Sequence, residues 1–142
     1  MFKKILVAID LLELVFARRA IKAAVALAKQ NNAALKVMTV LPGYSMPLVA
    51  GFFPKDYESK AKEAAASQLD AFVAKHVPDA LKVSSAVLEG HAYEQVLKMA
   101  DKWKANLIVM GAHSPELKDY LLGPNAARVV RHAKQSVLVV RG

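Results

Sequence analysis

Short runs of apolar, β-branched residues alternate along the chain with longer segments in which apolar residues recur at helical spacing. The short runs predict strands at Lys4–Ile9, Leu35–Leu41, Val83–Leu88, Asn106–Met110 and Ser136–Val140. The longer segments predict helices from Glu13 to Gln30, from Pro54 to about His76, from Ala92 to Lys104 and from Pro124 to Ala133. Because strands that alternate with helices form right-handed crossovers, the pattern predicts an α/β fold. We expect a doubly wound, five-stranded parallel sheet of the flavodoxin or Rossmann type, with strand order 3-2-1-4-5.

Composition narrows the class of protein. The length of 142 residues is that of one domain, 1–142, and 55% of the residues are hydrophobic, which is enough for a core on both faces of a sheet. There is no cysteine, which excludes disulfides, thiolate metal sites and a cysteine nucleophile. The apolar run that ends at Asp10 is too short for a secretory signal, and no segment reaches the ~20 apolar residues of a membrane span. We therefore expect a soluble, cytoplasmic protein with no membrane insertion.

The formal net charge of +8 has two interpretations. A basic groove would attract nucleotides, nucleic acid or anionic lipid, whereas scattered lysines would only solvate exposed helix faces. The lysines are scattered and form no run of like charge, which favours the second interpretation. Aromatic residues are not interleaved with the basic ones, so we expect no nucleic-acid partner.

Candidate chemistry follows from the topology, because open α/β sheets bind ligands beyond the carboxyl ends of their strands. Gly111 follows the fourth strand, and Gly123 precedes the last helix. A glycine at a strand end allows close approach of a ligand, and a helix N-terminus offers free N–H groups to phosphate. The alternative is that both glycines serve turn geometry alone, as they do in many α/β proteins.

The chain resembles the universal stress protein family along its whole length. The resemblance is carried by Lys4–Asp10, by the long loop after the second strand, by Leu88-Glu89-Gly90 and most specifically by the closing stretch Leu121–Arg141. It implies a five-stranded parallel sheet, a homodimer formed through the last strand, Val137–Val140, and in many members the binding of ATP. The implied activity is that of a regulator in the stress response with an unidentified protein partner, not that of an enzyme with a catalytic residue.

The family's ATP motif has a glycine, two residues, a second glycine, nine residues, and a third glycine with a Ser or Thr. In this chain the three glycine positions are Gly111, Ser114 and Gly123, the last after eight residues instead of nine, and the hydroxyl position is Pro124. Ser114 adds a Cβ, and Pro124 removes a hydroxyl and an N–H. The resemblance implies that ATP, with or without Mg²⁺, contacts the following residues: Ala8, Ile9, Asp10 and Val40 around adenine, Met110 and Gly111 near ribose, and His113, Ser114, Gly123, Pro124, Asn125 and Ala126 around the phosphates.

Two of these residues have a second interpretation. Asp10 is also placed to be the N-cap of the first helix, and His113 is also placed to be an exposed loop residue. Glu116 and Asp119 lie where they could approach a magnesium ion on the phosphates, although solvation of both is the simpler expectation.

Two other functions stay open at this point. One is a nucleotide-free interaction module that works as a dimer, with the apolar tip of the loop 43–53 as a further contact surface. The other is a small hydrolase or transferase on the same fold, for which no nucleophile motif or paired carboxylates are present.

Overall fold

A computed structural model describes residues 1–41, 57–112 and 123–142, apart from the side chains of residues 57 and 58. Its elements, in chain order, are β1 (Lys4–Ala8), α1 (Leu14–Asn31), β2 (Ala34–Leu41), α2 (Tyr57–His76), β3 (Val83–Glu89), α3 (Ala92–Trp103), β4 (Leu107–Gly111), α4 (Pro124–His132) and β5 (Ser136–Val140). The predicted strand and helix bounds agree with these to within a residue or two wherever the structure describes them. The predicted start of α2 at Pro54 and the loop 43–53 lie outside the described residues.

The strands form one sheet in the order β3-β2-β1-β4-β5. Every neighbouring pair is parallel, which confirms the predicted topology. Along β1, Ile5 and Val7 pack on one face of the sheet and Leu6 packs on the other, and all three side chains have no exposed surface. Burial on both faces explains why the sequence of β1 is an uninterrupted apolar run.

Two helices cover each face of the sheet. On one face α1 and α2 enclose a cluster that includes Ala24 and Leu69, and on the other α3 and α4 enclose a cluster that includes Val96 and Val129. Each fully buried Leu or Val side chain contributes roughly 1.5–3 kcal/mol relative to exposure. The two clusters hold the helices in position, so that their N-termini lie at the edge where the strands end.

The ends of α1 and α3 follow from local chemistry. Asn32, after α1, has φ 50°, and Lys104, after α3, has φ 59°, which is the left-handed conformation that ends a helix. The Asn32 N–H donates to the carbonyl of Ala28. The stop predicted at Asn31-Asn32 is therefore confirmed, with asparagine in the role that glycine more often has. In the part of the chain that the structure describes, no helix is both long enough and apolar enough to cross a membrane.

Candidate functional site

The carboxyl ends of β1 and β4 lie side by side at the centre of the sheet, where the strand order reverses direction. The connection from β1 leads to β2 on one side, and β4 leads to β5 on the other. Diverging connections leave a crevice between them, which is the usual ligand position in such sheets. The fold therefore places its best binding position at the residues that follow Ala8 and Gly111.

An open cleft occupies this position. Its volume is about 110 Å³ when open solvent at the mouth is left out, so it is a shallow cleft that opens to solvent. Every layer of the fold contributes to it. The residues that line the cleft are Ala8, Ile9, Asp10, Glu13, Phe16, Ala17, Met38, Thr39, Val40, Ala92, Val96, Met110, Gly111, Asn125 and Ala126.

Most of the residues predicted from the sequence meet in this cleft. Those that line it are Ala8, Ile9, Asp10, Val40, Met110, Gly111, Asn125 and Ala126. Gly123, the buried N-cap of α4, and Pro124, exposed at the first helical position, are not among its lining residues. His113, Ser114, Glu116 and Asp119 lie outside the described residues.

Asp10 does not have the helix-capping role that was one expectation for it. The N-cap of α1 is Glu13, and an Asp10 side-chain oxygen instead accepts a hydrogen bond from the N–H of Leu12 at 2.9 Å. The Asp10 carbonyl accepts the N–H of Glu13 at 3.0 Å. These bonds form a compact turn between β1 and α1, and they leave the exposed Asp10 carboxylate beside the cleft.

Gly111 has a structural reason to be glycine. A Cβ built there would lie 3.1 Å from the Phe16 Cβ and 3.2 Å from the Phe16 carbonyl oxygen. The close approach lets the first turn of α1 pack directly on the end of β4. The absence of a side chain at Gly111 is therefore favoured by helix packing, whether or not a ligand also uses the space.

Positive potential at the cleft comes from the backbone. Asn125 and Ala126 are in the first turn of α4, where N–H groups have no acceptor within the helix, and the α4 N-cap makes no side-chain hydrogen bond. Ala92 brings the first turn of α3 to the same cleft, also without a side-chain cap. Uncapped helix N-termini of this kind attract anions.

The charged side chains that line the cleft are both acidic. They are Asp10 and Glu13, and no Lys, Arg or His among the described residues lines it. The buried Thr39 hydroxyl donates to the Ile9 carbonyl at 2.9 Å, which fixes the wall between β1 and β2. No group of at least three His, Asp or Glu side chains within the described ranges could hold a metal ion.

Sequence reasoning missed several residues of the cleft: Glu13, Phe16, Ala17, Met38, Thr39, Ala92 and Val96. For three of these residues, the position in the sequence could have predicted that they line the cleft. Met38 and Thr39 directly precede Val40 at the end of a predicted strand, and Ala92 begins the helix after β3. Phe16 and Val96 are apolar positions within predicted helices, but only the packing of α1 and α3 shows that they reach the cleft.

A family model, the sequences of known proteins and solved structures all show similarity to one protein family. The model of the universal stress protein family matches residues 1–141. Universal stress protein G of Shigella flexneri is 31% identical over 144 residues, covering 99% of this chain and 100% of that protein. The solved structure of protein MJ0577, a universal stress protein of Methanocaldococcus jannaschii, superposes with a TM-score of 0.82 at 26% identity, covering 99% of this chain and 96% of that one.

A further solved structure shares the fold and contains a ligand. It is the universal stress protein from Archaeoglobus fulgidus in complex with dAMP, with a TM-score of 0.67 at 21% identity and 97% coverage of both chains. That protein therefore binds an adenine nucleotide on the same architecture.

Proposed function

Because this chain belongs to the universal stress protein family, we propose that it is a stress-response regulator that binds an adenine nucleotide, ATP, in the cleft between β1 and β4. The observation that carries the proposal is that residues predicted separately lie together in the structure. Residues predicted from separate segments of the sequence, such as Asp10, Val40, Met110 and Asn125, line one cleft at the switch point of the sheet.

In the proposed complex, adenine lies against Ala8, Ile9 and Val40. The Asp10 carboxylate accepts a hydrogen bond from the adenine amino group, since an ionised carboxylate is an acceptor only. The apolar wall around these residues suits the faces of a purine ring, and the Asp10 carboxylate beside it selects a base edge that bears a donor.

The other end of the nucleotide lies along β4 and α4. Ribose contacts the backbone of Met110 and Gly111, and the phosphates accept hydrogen bonds from the N–H groups of Asn125 and Ala126. His113 and Ser114 are proposed to add polar contacts there. Pro124 has no N–H to donate, so the first donor that α4 offers to an anion is that of Asn125.

Magnesium has a specific part in the proposal. Asp10 and Glu13 repel a triphosphate, because both carboxylates line the cleft and no described cation lines it. A divalent cation bound to the phosphates reduces that repulsion. We therefore expect ATP to bind as its magnesium complex. With no dedicated catalytic base, we expect hydrolysis to be slow at most.

We further propose that the chain acts as one cytoplasmic domain that dimerises through β5. Within the described residues β5 pairs only with β4. The Val140 carbonyl accepts the Ala112 N–H at 2.8 Å, so Val140 faces β4 and the backbone of Val139 faces the free edge. A free apolar edge pairs readily with a second copy.

Titration calorimetry with Mg-ATP, AMP and cAMP tests the nucleotide proposal. We expect binding heat and a rise in melting temperature for the wild-type chain, and loss of both in a Val40→Trp variant that fills the cleft. The control is Val130→Trp, because Val130 is 46% exposed on α4 and does not line the cleft. No heat from any of the nucleotides at millimolar concentration would contradict the proposal.

Sedimentation of a Val139→Pro variant tests the dimer separately. Proline removes a donor from the free edge and leaves the bonds to β4 intact, so we expect a folded monomer. A dimer that persists in this variant would place the interface elsewhere. If the wild-type chain dimerises but binds no nucleotide, the alternative function, a nucleotide-free interaction module, is the correct one.

A further inference from the structure

A second concave surface lies between α1 and α2, and we call it the α1–α2 groove. It is lined by Arg18, Ile21, Lys22, Val25 and His76, and it has about 580 Å³ of free space including its open mouth. None of these residues lines the cleft at the carboxyl edge of the sheet. The groove is therefore a separate feature, and its interpretation does not depend on the proposed nucleotide site.

The groove concentrates positive charge without a described counter-charge. Arg18 and Lys22 come from α1, which has no acidic residue between Leu14 and Asn31. Both side chains are exposed, as is Lys75, beside His76 at the end of α2, and no acidic residue is among the residues that line the groove. Like charges held on neighbouring helices repel one another, and an anion between them would relieve that repulsion.

The surroundings of His76 in the groove affect both the position of its ring and its pKa. Its ring packs on the Phe72 ring with centroids 4.5 Å apart, which holds it against α2. Burial lowers the pKa of His76, and the charges of Lys75 and Arg18 lower it further. The charged groups facing it are Arg18 and Lys22 from α1 and Lys75 from α2, while Asp79, in the turn that follows, is exposed and does not line the groove.

We propose that the α1–α2 groove is an oxyanion site that takes a phosphate group, either inorganic phosphate or a small phosphomonoester. Arg18 would offer the planar fork of donors that matches phosphate oxygens, and Lys22 a mobile ammonium. A protonated His76 would donate through its ring N–H from the opposite side. The groove thus supplies three kinds of donor from two helices around one open space.

The floor of the groove is formed by Ile21, which is 1% exposed, and by half-buried Val25. Most of the surface that lines the groove is apolar, so a small organic substituent on the phosphate would find apolar contacts there.

The pKa of His76 can be used to detect phosphate bound in the groove. A dianion beside His76 favours its protonated form, so bound phosphate must raise the pKa of His76 above its value in the free protein. By linkage, protonation of His76 must strengthen phosphate binding. Phosphate bound elsewhere on the protein, including at the proposed nucleotide site, would leave the titration of His76 unchanged.

The experiment is an NMR pH titration of the histidine ring signals, with His76 assigned from a His76→Gln variant. It compares inorganic phosphate and phenyl phosphate with sodium chloride at equal ionic strength. We expect either phosphate compound to raise the pKa of His76, and a larger effect of phenyl phosphate at equal concentration would show that the organic ester is the preferred form. An unchanged pKa with both compounds would overturn the proposal.

A matched pair of variants separates a built site from diffuse attraction. An Arg18→Gln, Lys22→Gln double variant removes two charged donors from the groove, and we expect phosphate affinity, read from the His76 signal, to fall at least roughly tenfold. A Lys29→Gln, Lys98→Gln double variant also removes two charges, at exposed positions outside the groove. If this control weakens binding as much as the groove variant, the proposal is wrong.

Discussion

The cleft at the carboxyl edge and the α1–α2 groove supply positive charge in opposite ways. In the cleft the lining charges are the carboxylates of Asp10 and Glu13, and the positive end comes from N–H groups at the start of α4. In the groove the positive charge belongs to side chains, Arg18 and Lys22, with a titrating His76 opposite them. The two regions therefore differ in how pH, salt and substitution should affect them.

Because the two regions carry positive charge on different groups, pH and salt should affect ligand binding differently in each. Peptide N–H groups do not titrate, so binding to them changes with pH only through the ligand and the nearby carboxylates. Side-chain cations are mobile and exposed to solvent, so their effects are screened by salt, and a histidine among them is sensitive to mild acid. The four predictions below test this contrast, from the largest expected effect to the smallest.

The wall of the cleft depends on the contact between Gly111 and Phe16. A Gly111→Ala substitution places a Cβ about 3.1–3.2 Å from Phe16, including its backbone, so α1 must shift. We expect the free energy of unfolding to fall by about 1–3 kcal/mol, measured by urea denaturation. The control is Gly142→Ala, whose Cβ would meet only the Arg19 side chain at 3.6 Å. An equal change in both variants would contradict the packing role of Gly111.

In the proposed complex, recognition of adenine depends on the Asp10 carboxylate. Asp10→Ala should weaken Mg-ATP binding about tenfold in calorimetry, because one hydrogen bond to a charged acceptor is lost. Asp10→Asn retains an oxygen for the Leu12 N–H and should recover part of the affinity. Asp79→Ala, at an exposed position in the turn after α2, is the control. Equal affinity of Asp10→Ala and wild type would remove Asp10 from the proposed site.

The acidic character of the cleft should oppose the triphosphate. Glu13→Gln removes one of its two lining carboxylates, and we expect ATP affinity to rise about two- to fivefold at low salt, with a smaller gain at high salt. Glu63→Gln, exposed on α2, is the control. A loss of affinity in Glu13→Gln would mean that this carboxylate contacts the ligand favourably.

The groove should make stability depend on pH in a defined direction. The pKa of His76 is lowered in the folded state, so the folded chain binds fewer protons than the unfolded chain below the ordinary value of 6.5. The contribution of His76 to the free energy of unfolding is therefore fully present above pH 6.5, and it declines as the pH falls below that value. In urea denaturation at a series of pH values below 6.5, the free energy of unfolding should fall slightly less steeply with decreasing pH for His76→Gln than for wild type. His132→Gln, at an exposed position on α4, should follow wild type.

The sequence was sufficient to predict the sheet because its central strands are buried on both faces. The apolar run at β1 is buried between two helical layers, and the alternation of strands with helices, joined by right-handed crossovers, limits the topologies that achieve this. The position of the cleft follows, since parallel strands bring Asp10, Val40 and Gly111 to one edge. No pattern within a single segment predicts that Phe16 packs on Gly111, because this contact joins residues far apart in the chain.

The α1–α2 groove was beyond sequence reasoning for a similar reason. Arg18 and Lys22 are one turn apart on α1, which the helical period predicts. His76 lies at the far end of another helix, and only the crossing of α1 and α2 brings it beside Arg18. The scattered lysines predict solvated helix faces in general, and no pattern in the sequence indicates that Arg18 and Lys22 lie beside His76.

The first turn of α4 has a consequence for how such proteins diverge. Its donors, at Asn125 and Ala126, are peptide groups that remain in place when side chains are exchanged. If phosphates bind these donors as proposed, changes in the residues of the motif, including a proline at its hydroxyl position, preserve the site as long as the helix begins at the same residue. Under that proposal, searches that rank relatives by motif residues alone would underestimate how many of them bind nucleotides.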